Sequence, residues 1–211
     1  MASLYKSKSF WLCLFSGALL PLIYIVWAAV NNKLGAEPAK ALVEFLGETA
    51  LMFLIATLSI SPMQKLKVFN GLVRHRRMLG LYVFFYACLH VFAYGFFLVD
   101  WQNLIEDIYK RPYVTMGFMA FVILAALALT SPKIMLRRMG RRWKPLHRLI
   151  YLAAIFVLIH VFWQVRSDYS EALIYAVFVL GLLLFRYRYF RSWGCSFLLR
   201  QKRIQKGDTN E

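Results

Sequence analysis

Four histidines are the residues of this chain whose type and placement could do chemistry. His90 lies near the middle of an apolar run, LYVFFYACLHVFAYGFF, and His160 lies in the second half of another, YLAAIFVLIHVFWQV. Ionisable side chains in such surroundings are rare, and the default reading of one is functional. His90 stands 13 residues beyond Arg77, and His160 stands 13 residues beyond His147. On a helix each interval is a rise of roughly 20 Å. Two parallel helices would therefore bring His90 and His160 to a common depth, where two imidazoles can take one iron from opposite sides. Axial ligation of that kind leaves no open position for oxygen or substrate and suits electron transfer. The plainer alternative is that each imidazole hydrogen-bonds a neighbouring helix. The same interval turns an ideal helix about 140° short of four full turns, so His147 and His160 face differently unless their helix bends. His75, inside Val73-Arg74-His75-Arg76-Arg77, reads as a surface residue among cations.

The elements that must position these residues are membrane helices. Of the 211 residues, 61% are apolar and 17% charged, against about 45–50% and about 25% in a soluble domain. Uncharged stretches fall at 9–32, 49–64, 78–99, 112–132, 149–165 and 172–185, and a crossing takes roughly 20 residues. The short second and sixth stretches extend through Glu44 and Glu48 and through Arg186, Arg188 and Arg191, since long cationic side chains snorkel to the headgroups. The expectation is an all-α, integral membrane six-helix bundle over residues 10–191, with spans near 10–30, 45–63, 78–99, 112–131, 146–165 and 172–190. Residues 1–9 form a short cytoplasmic N-terminus and 192–211 a basic cytoplasmic tail.

The net charge of +16 invites a nucleic-acid reading, but in so apolar a chain the cations are first topology signals. Six spans put 21 of the 26 Lys and Arg on one side and eight of the ten carboxylates on the other. The positive-inside rule then places both termini in the cytoplasm. The first run is too long for the apolar region of a cleaved signal peptide and reads as a retained span. No stretch of soluble length remains for a nucleotide-binding domain, and there is no G-x-G-x-x-G after a strand and no Walker A run. Cys13, Cys88 and Cys195 are lone thiols read as apolar packing residues. Without C-x-x-C-H, a thioether-linked haem is excluded.

Several motifs surround the histidines. Arg76-Arg77-Met78-Leu79-Gly80-Leu81 leads to Leu89-His90, Arg111-Pro112-Tyr113-Val114-Thr115-Met116-Gly117 opens the fourth span, and Trp143-Lys144-Pro145-Leu146-His147-Arg148 precedes His160. With Leu34-Gly35-Ala36-Glu37-Pro38, Phe45, Gly47 and the Ser61-Pro62 that ends the second span, these resemble the MsrQ (YedZ) family from about Phe10 to Arg191. That resemblance implies a ferric-reductase-like transmembrane core in the bacterial inner membrane. It also implies b-type haem, one or two, with His90, His147 and His160 as axial candidates, and FMN. The implied donor is the quinone pool or a cytosolic flavin reductase. The implied acceptor is a periplasmic molybdopterin-containing subunit of the MsrP type that reduces methionine sulfoxide in oxidised proteins. Ferric-reductase-type cores usually show two histidines on each ligating helix, and here the third span carries only His90, which leaves the ligand partner of His147 open.

Arg74, Arg76 and Arg77 could dock a flavin phosphate, haem propionates or a quinone headgroup, because guanidinium pairs bidentately with such oxygens. They also read as topology anchors. The chain is thus expected to be the electron-delivering half of an oxidoreductase and not the subunit that reduces methionine sulfoxide. Rival readings are a transporter or proton relay using the intramembrane histidines, a non-haem metal enzyme, and a haem-free anchor for a periplasmic partner. No Asp or Glu lies deep in the spans to complete a relay, and three or four scattered histidines are too few for a protein-only metal site.

Overall fold

A computed structural model describes residues 8–65, 72–165 and 169–186. The expected tail over 192–211 lies outside the described residues, as does most of the expected N-terminal segment. The helices are α1 (Lys8–Val30), α2 (Pro38–Lys65), α3 (Arg76–Ala93), α4 (Leu104–Lys110), α5 (Pro112–Leu129), α6 (Lys133–Met139), α7 (Trp143–His147) and α8 (Ile150–Gln164). A further helix, α9, occupies residues 170–186. Among the described residues, four helices are long and apolar enough to cross a membrane: α1, α2, α3 with its continuation to Leu98, and α5. Residues Lys133–Gln164 make a fifth if the pair bent by 41° is counted as one span.

Two antiparallel pairs carry most of the packing, α2 with α3 and α5 with α8, and α3 joins them by packing on α5. The shared core draws Leu54 from α2, Val83 from α3, Leu124 from α5, Ala153, Ala154 and Leu158 from α8, and Val179 from α9. α1 is pinned to α3 by hydroxyl groups: Tyr82 donates to the Phe15 carbonyl at 3.0 Å and Tyr86 to the Ala18 carbonyl at 2.6 Å. Phe53 of α2 stacks on both tyrosines.

Three sequence expectations are corrected. Ser61-Pro62 does not end the second helix, which runs through Pro62 to Lys65. At 28 residues α2 is far longer than the expected 45–63. A helix of that length is about 42 Å, against a hydrocarbon core of about 30 Å. The fifth span does not begin as one helix at 146, because the chain breaks between His147 and Ile150. His75 is not a surface residue: it is buried at 4% exposure, in the turn Leu72–His75 that leads into α3, with the Phe10 ring 5.4 Å away. The start of α1 covers it.

One end of the bundle is closed by arginines. Arg76 at the start of α3 donates to Ser61 near the end of α2 at 3.0 Å, and Arg77 donates to Ser131 beyond α5 at 2.9 Å. His90, His160, Val43 and Tyr113 lie toward the opposite end.

Candidate functional site

A helical side chain leans over the turn N-terminal to its own Cα, so residue i+4 ordinarily covers the carbonyl of residue i. At two helical glycines, Gly47 and Gly117, an imidazole fills the space the missing side chain leaves. His90 on α3 sets Nδ1 2.9 Å from the Val43 carbonyl of α2, four residues before Gly47. His160 on α8 sets Nδ1 2.6 Å from the Tyr113 carbonyl of α5, four residues before Gly117. A Cβ on either glycine would meet the Nδ1 of its histidine at 2.9 Å. Each helix pair therefore holds one imidazole in the same way.

Since only a protonated Nδ1 can donate to a carbonyl, both rings take the Nδ1–H tautomer and leave the Nε2 lone pair free. The two rings approach each other with centroids 6.3 Å apart and planes at 83°. An imidazole–metal bond of about 2.0–2.1 Å and a ring radius of about 1.1 Å put two opposed ligands of one metal roughly 6.3 Å apart, centroid to centroid. Among the described residues no group of three or more His, Cys, Asp or Glu could hold a bare metal ion. Two free nitrogens with no third protein ligand fit a metal whose remaining positions are filled by a macrocycle, which is the donor set of a bis-imidazole haem.

The pair lies nearer one end of the bundle than the middle of the third span where the sequence put His90. It shares a level with Val43 and Gly47 in the early turns of α2 and with Tyr113 in the first turn of α5. Over it sits a polar cluster. Asp107 of α4, buried at 9% exposure, accepts from the Tyr94 hydroxyl and from Arg111 Nε at 2.7 Å. Arg111 also donates to the Tyr113 hydroxyl at 3.2 Å, and the Tyr113 ring stands 6.1 Å from His160. Sequence reasoning missed Asp107, and it named Gly47 and Gly117 only as parts of motifs. A glycine in an apolar helix interior, disfavoured by about 1 kcal/mol against alanine, was the signal for the latter two.

His147 does not join the pair. It belongs to α7, its Nε2 is 3.2 Å from the Thr130 hydroxyl, and the Trp143 ring stacks on it at 3.9 Å. Trp143 in turn donates from Nε1 to the Thr130 carbonyl at 2.9 Å. The break before α8 supplies the bend that an ideal helix lacked. Arg76 and Arg77 are close enough to act electrostatically on His147, while their guanidinium groups bridge helices as described above. Arg74 is exposed.

The helical membrane bundle belongs to the ferric-reductase class of transmembrane proteins: the family described as "Ferric reductase like transmembrane component" matches residues 12–158. The chain is 40% identical to proteins of Salmonella paratyphi B and Salmonella newport named "Protein-methionine-sulfoxide reductase heme-binding subunit MsrQ". Each match spans 184 residues, 86% of this chain and 92% of the relative. The chain belongs to the MsrQ family. No solved structure matches it significantly.

Proposed function

We propose that the protein is a haem b electron-transfer subunit that holds one haem between His90 and His160. One observation carries the reading: two imidazoles whose Nδ1 atoms are each seated on a backbone carbonyl bared by glycine come within a centroid distance of 6.3 Å. When bound, the haem iron carries one electron at a time between its ferric and ferrous forms. The protein's own residues supply the rest. Val43 and Tyr113 orient the ligands through Nδ1–H, which also raises ligand basicity. The shared core, which reaches Leu158 two residues before His160, supplies apolar surroundings of the kind that tune a potential.

The charges orient the bundle, and the proposed donor and acceptor then set the direction of transfer. The arginine-rich end is cytoplasmic by the positive-inside rule, so electrons enter there and leave at the histidine end. In this reading six spans put both termini in the cytoplasm of a bacterial inner membrane, and the acceptor is a periplasmic reductase of the MsrP type acting on oxidised methionine. The names of the relatives support that assignment. The donor, quinol or reduced flavin, reaches the end built from Arg74, Arg76, Arg77, Trp143 and His147. An FMN stacked on Trp143 has to share that ring with His147, which already covers one face. A second haem on His147 has to break its contact with Thr130.

The test is a dithionite-reduced minus air-oxidised visible spectrum of detergent-purified protein, alongside His90→Ala and His160→Ala. Sharp b-type bands lost in both variants are expected. A colourless protein after haem-supplemented expression, or bands that survive both substitutions, overturns the assignment.

A further inference from the structure

At the histidine end the chain leaves α3 through a π-helical turn, Tyr94–Leu98, and reaches α5 through residues 99–111. This connection has three sides. Leu104, Asp107 and Ile108 face the bundle: Leu104 packs toward Gly95, Asp107 takes Tyr94 and Arg111, and the Ile108 carbonyl accepts from Thr115 at 2.6 Å. Glu106 and Lys110 form an exposed ion pair, in which hydrogen bonding to Lys110 holds the Glu106 carboxyl below its ordinary value. The third side is apolar, with Trp101, Ile105 and Tyr109 spaced four residues apart: one edge of the Trp101 ring lies against Gly95 and leaves it 57% exposed, while Ile105 and Tyr109 are open at 81% and 89%.

That stripe continues a surface already committed to lipid. Phe92 and Phe96, on the lipid-exposed side of the third span, stack at 5.8 Å, and Phe92 meets Trp101 at 6.2 Å. The aromatic contacts thus run from α3 to Trp101 at the start of the connection, and Ile105 and Tyr109 follow it at four-residue spacing. Trp and Tyr are the residues favoured where hydrocarbon meets headgroups. A helix with one apolar face and one charged face lies in the plane of that interface.

We infer that residues 101–110 form an interfacial helix that embeds Trp101, Ile105 and Tyr109 in the membrane leaflet at the histidine end, and so holds Asp107 down over the His90/His160 pair. The occupant of the stripe is the bilayer and not a soluble partner. The inference rests on the membrane fold and these contacts, and not on the haem assignment.

The experiment is depth measurement by spin label in phospholipid nanodiscs. Cys13, Cys88 and Cys195 are replaced by Ala, and single labels are placed at Ile105→Cys, Tyr109→Cys and, on the charged side, Glu106→Cys. Collision with oxygen and with a water-soluble nickel chelate gives the depth of each. Labels at 105 and 109 are expected roughly 5–10 Å below the phosphates, with the label at 106 in water. Should one stripe variant fail to assemble, the other carries the measurement. Nickel access at 105 and 109 equal to that at 106 overturns the inference, as does protection that arises only when a soluble acceptor protein is added. Neither readout depends on bound haem.

Discussion

Replacing Gly117 by alanine puts a methyl group 2.9 Å from Nδ1, 3.0 Å from Cε1 and 3.2 Å from Cγ of His160. Ordinary contact begins at 3.4 Å, so the ring must retreat by about half an ångström. The retreat is opposed on both sides. It lengthens the 2.6 Å hydrogen bond to Tyr113, and in the haem-bound state the ring is held by a metal bond that does not stretch. Overpacking of this kind costs about 1–3 kcal/mol and a weakened hydrogen bond about 0.5–1.5 kcal/mol. In the haem-free protein the imidazole can swing aside, so most of the penalty falls on the bound state. The expected result is haem affinity weakened roughly 30- to 1,000-fold, from about 2–4 kcal/mol at 1.4 kcal/mol per decade. Gly47→Ala acts on His90 by the same contact, and its 2.9 Å bond to Val43 stretches past the useful range. The assay is haem titration into apoprotein, followed in the visible spectrum. Gly17→Ala and Gly181→Ala are the controls, because neither meets another atom within 4 Å. Wild-type affinity and spectrum in both Gly47→Ala and Gly117→Ala would refute the reasoning that bared carbonyls orient the ligands.

Three further outcomes are expected. Asp107→Asn removes the charge that joins Tyr94 to Arg111 and costs about 1–2 kcal/mol, which lowers the apparent Tm by roughly 2–8 °C; an unchanged melting curve counts against a stabilising role for this cluster. Arg77→Ala and Ser131→Ala each lower the apparent Tm by a similar amount through the lost α3-to-α5 bond, whereas the exposed Arg74→Ala leaves it unchanged; equal effects of Arg74 and Arg77 contradict the clamp. His147→Ala retains the haem of the His90/His160 site, as read from pyridine haemochrome content, and its complete loss would place His147 in the site after all.

Much of this arrangement was legible in the sequence, for reasons that differ between residues. His90 and His160 stand out because the apolar runs around them make any ionisable group conspicuous, and because equal spacing from Arg77 and His147 sets their depth. Common depth alone does not bring two rings to 6.3 Å, since that distance also depends on the face of α3 and α8 each ring occupies, which Gly47 and Gly117 set. His75 was misread because its neighbours are arginines: local charge says surface, while burial comes from α1, more than sixty residues earlier in the chain. Pro62 was misread as a stop because local rules treat proline in a helix as a break, yet the helix continues one turn beyond it.

The contrast between Gly117 and Asp107 shows where sequence reading runs out. Gly117 acts through a local geometric rule, since a missing side chain at i+4 bares the carbonyl at i, so it could have been inferred once an imidazole was known to face that helix. Asp107 acts through partners on two other elements, Tyr94 beyond α3 and Arg111 at the start of α5. Its own surroundings, Leu104-Ile105-Glu106-Asp107-Ile108-Tyr109-Lys110, read as a polar loop with scattered apolar residues. Only the tertiary arrangement turns those seven residues into three faces, one bonded to the bundle, one charged and one apolar. The site depends on both kinds of information: glycine and histidine fix where the two imidazoles meet, and the connection over 99–111 fixes how that end of the bundle is closed.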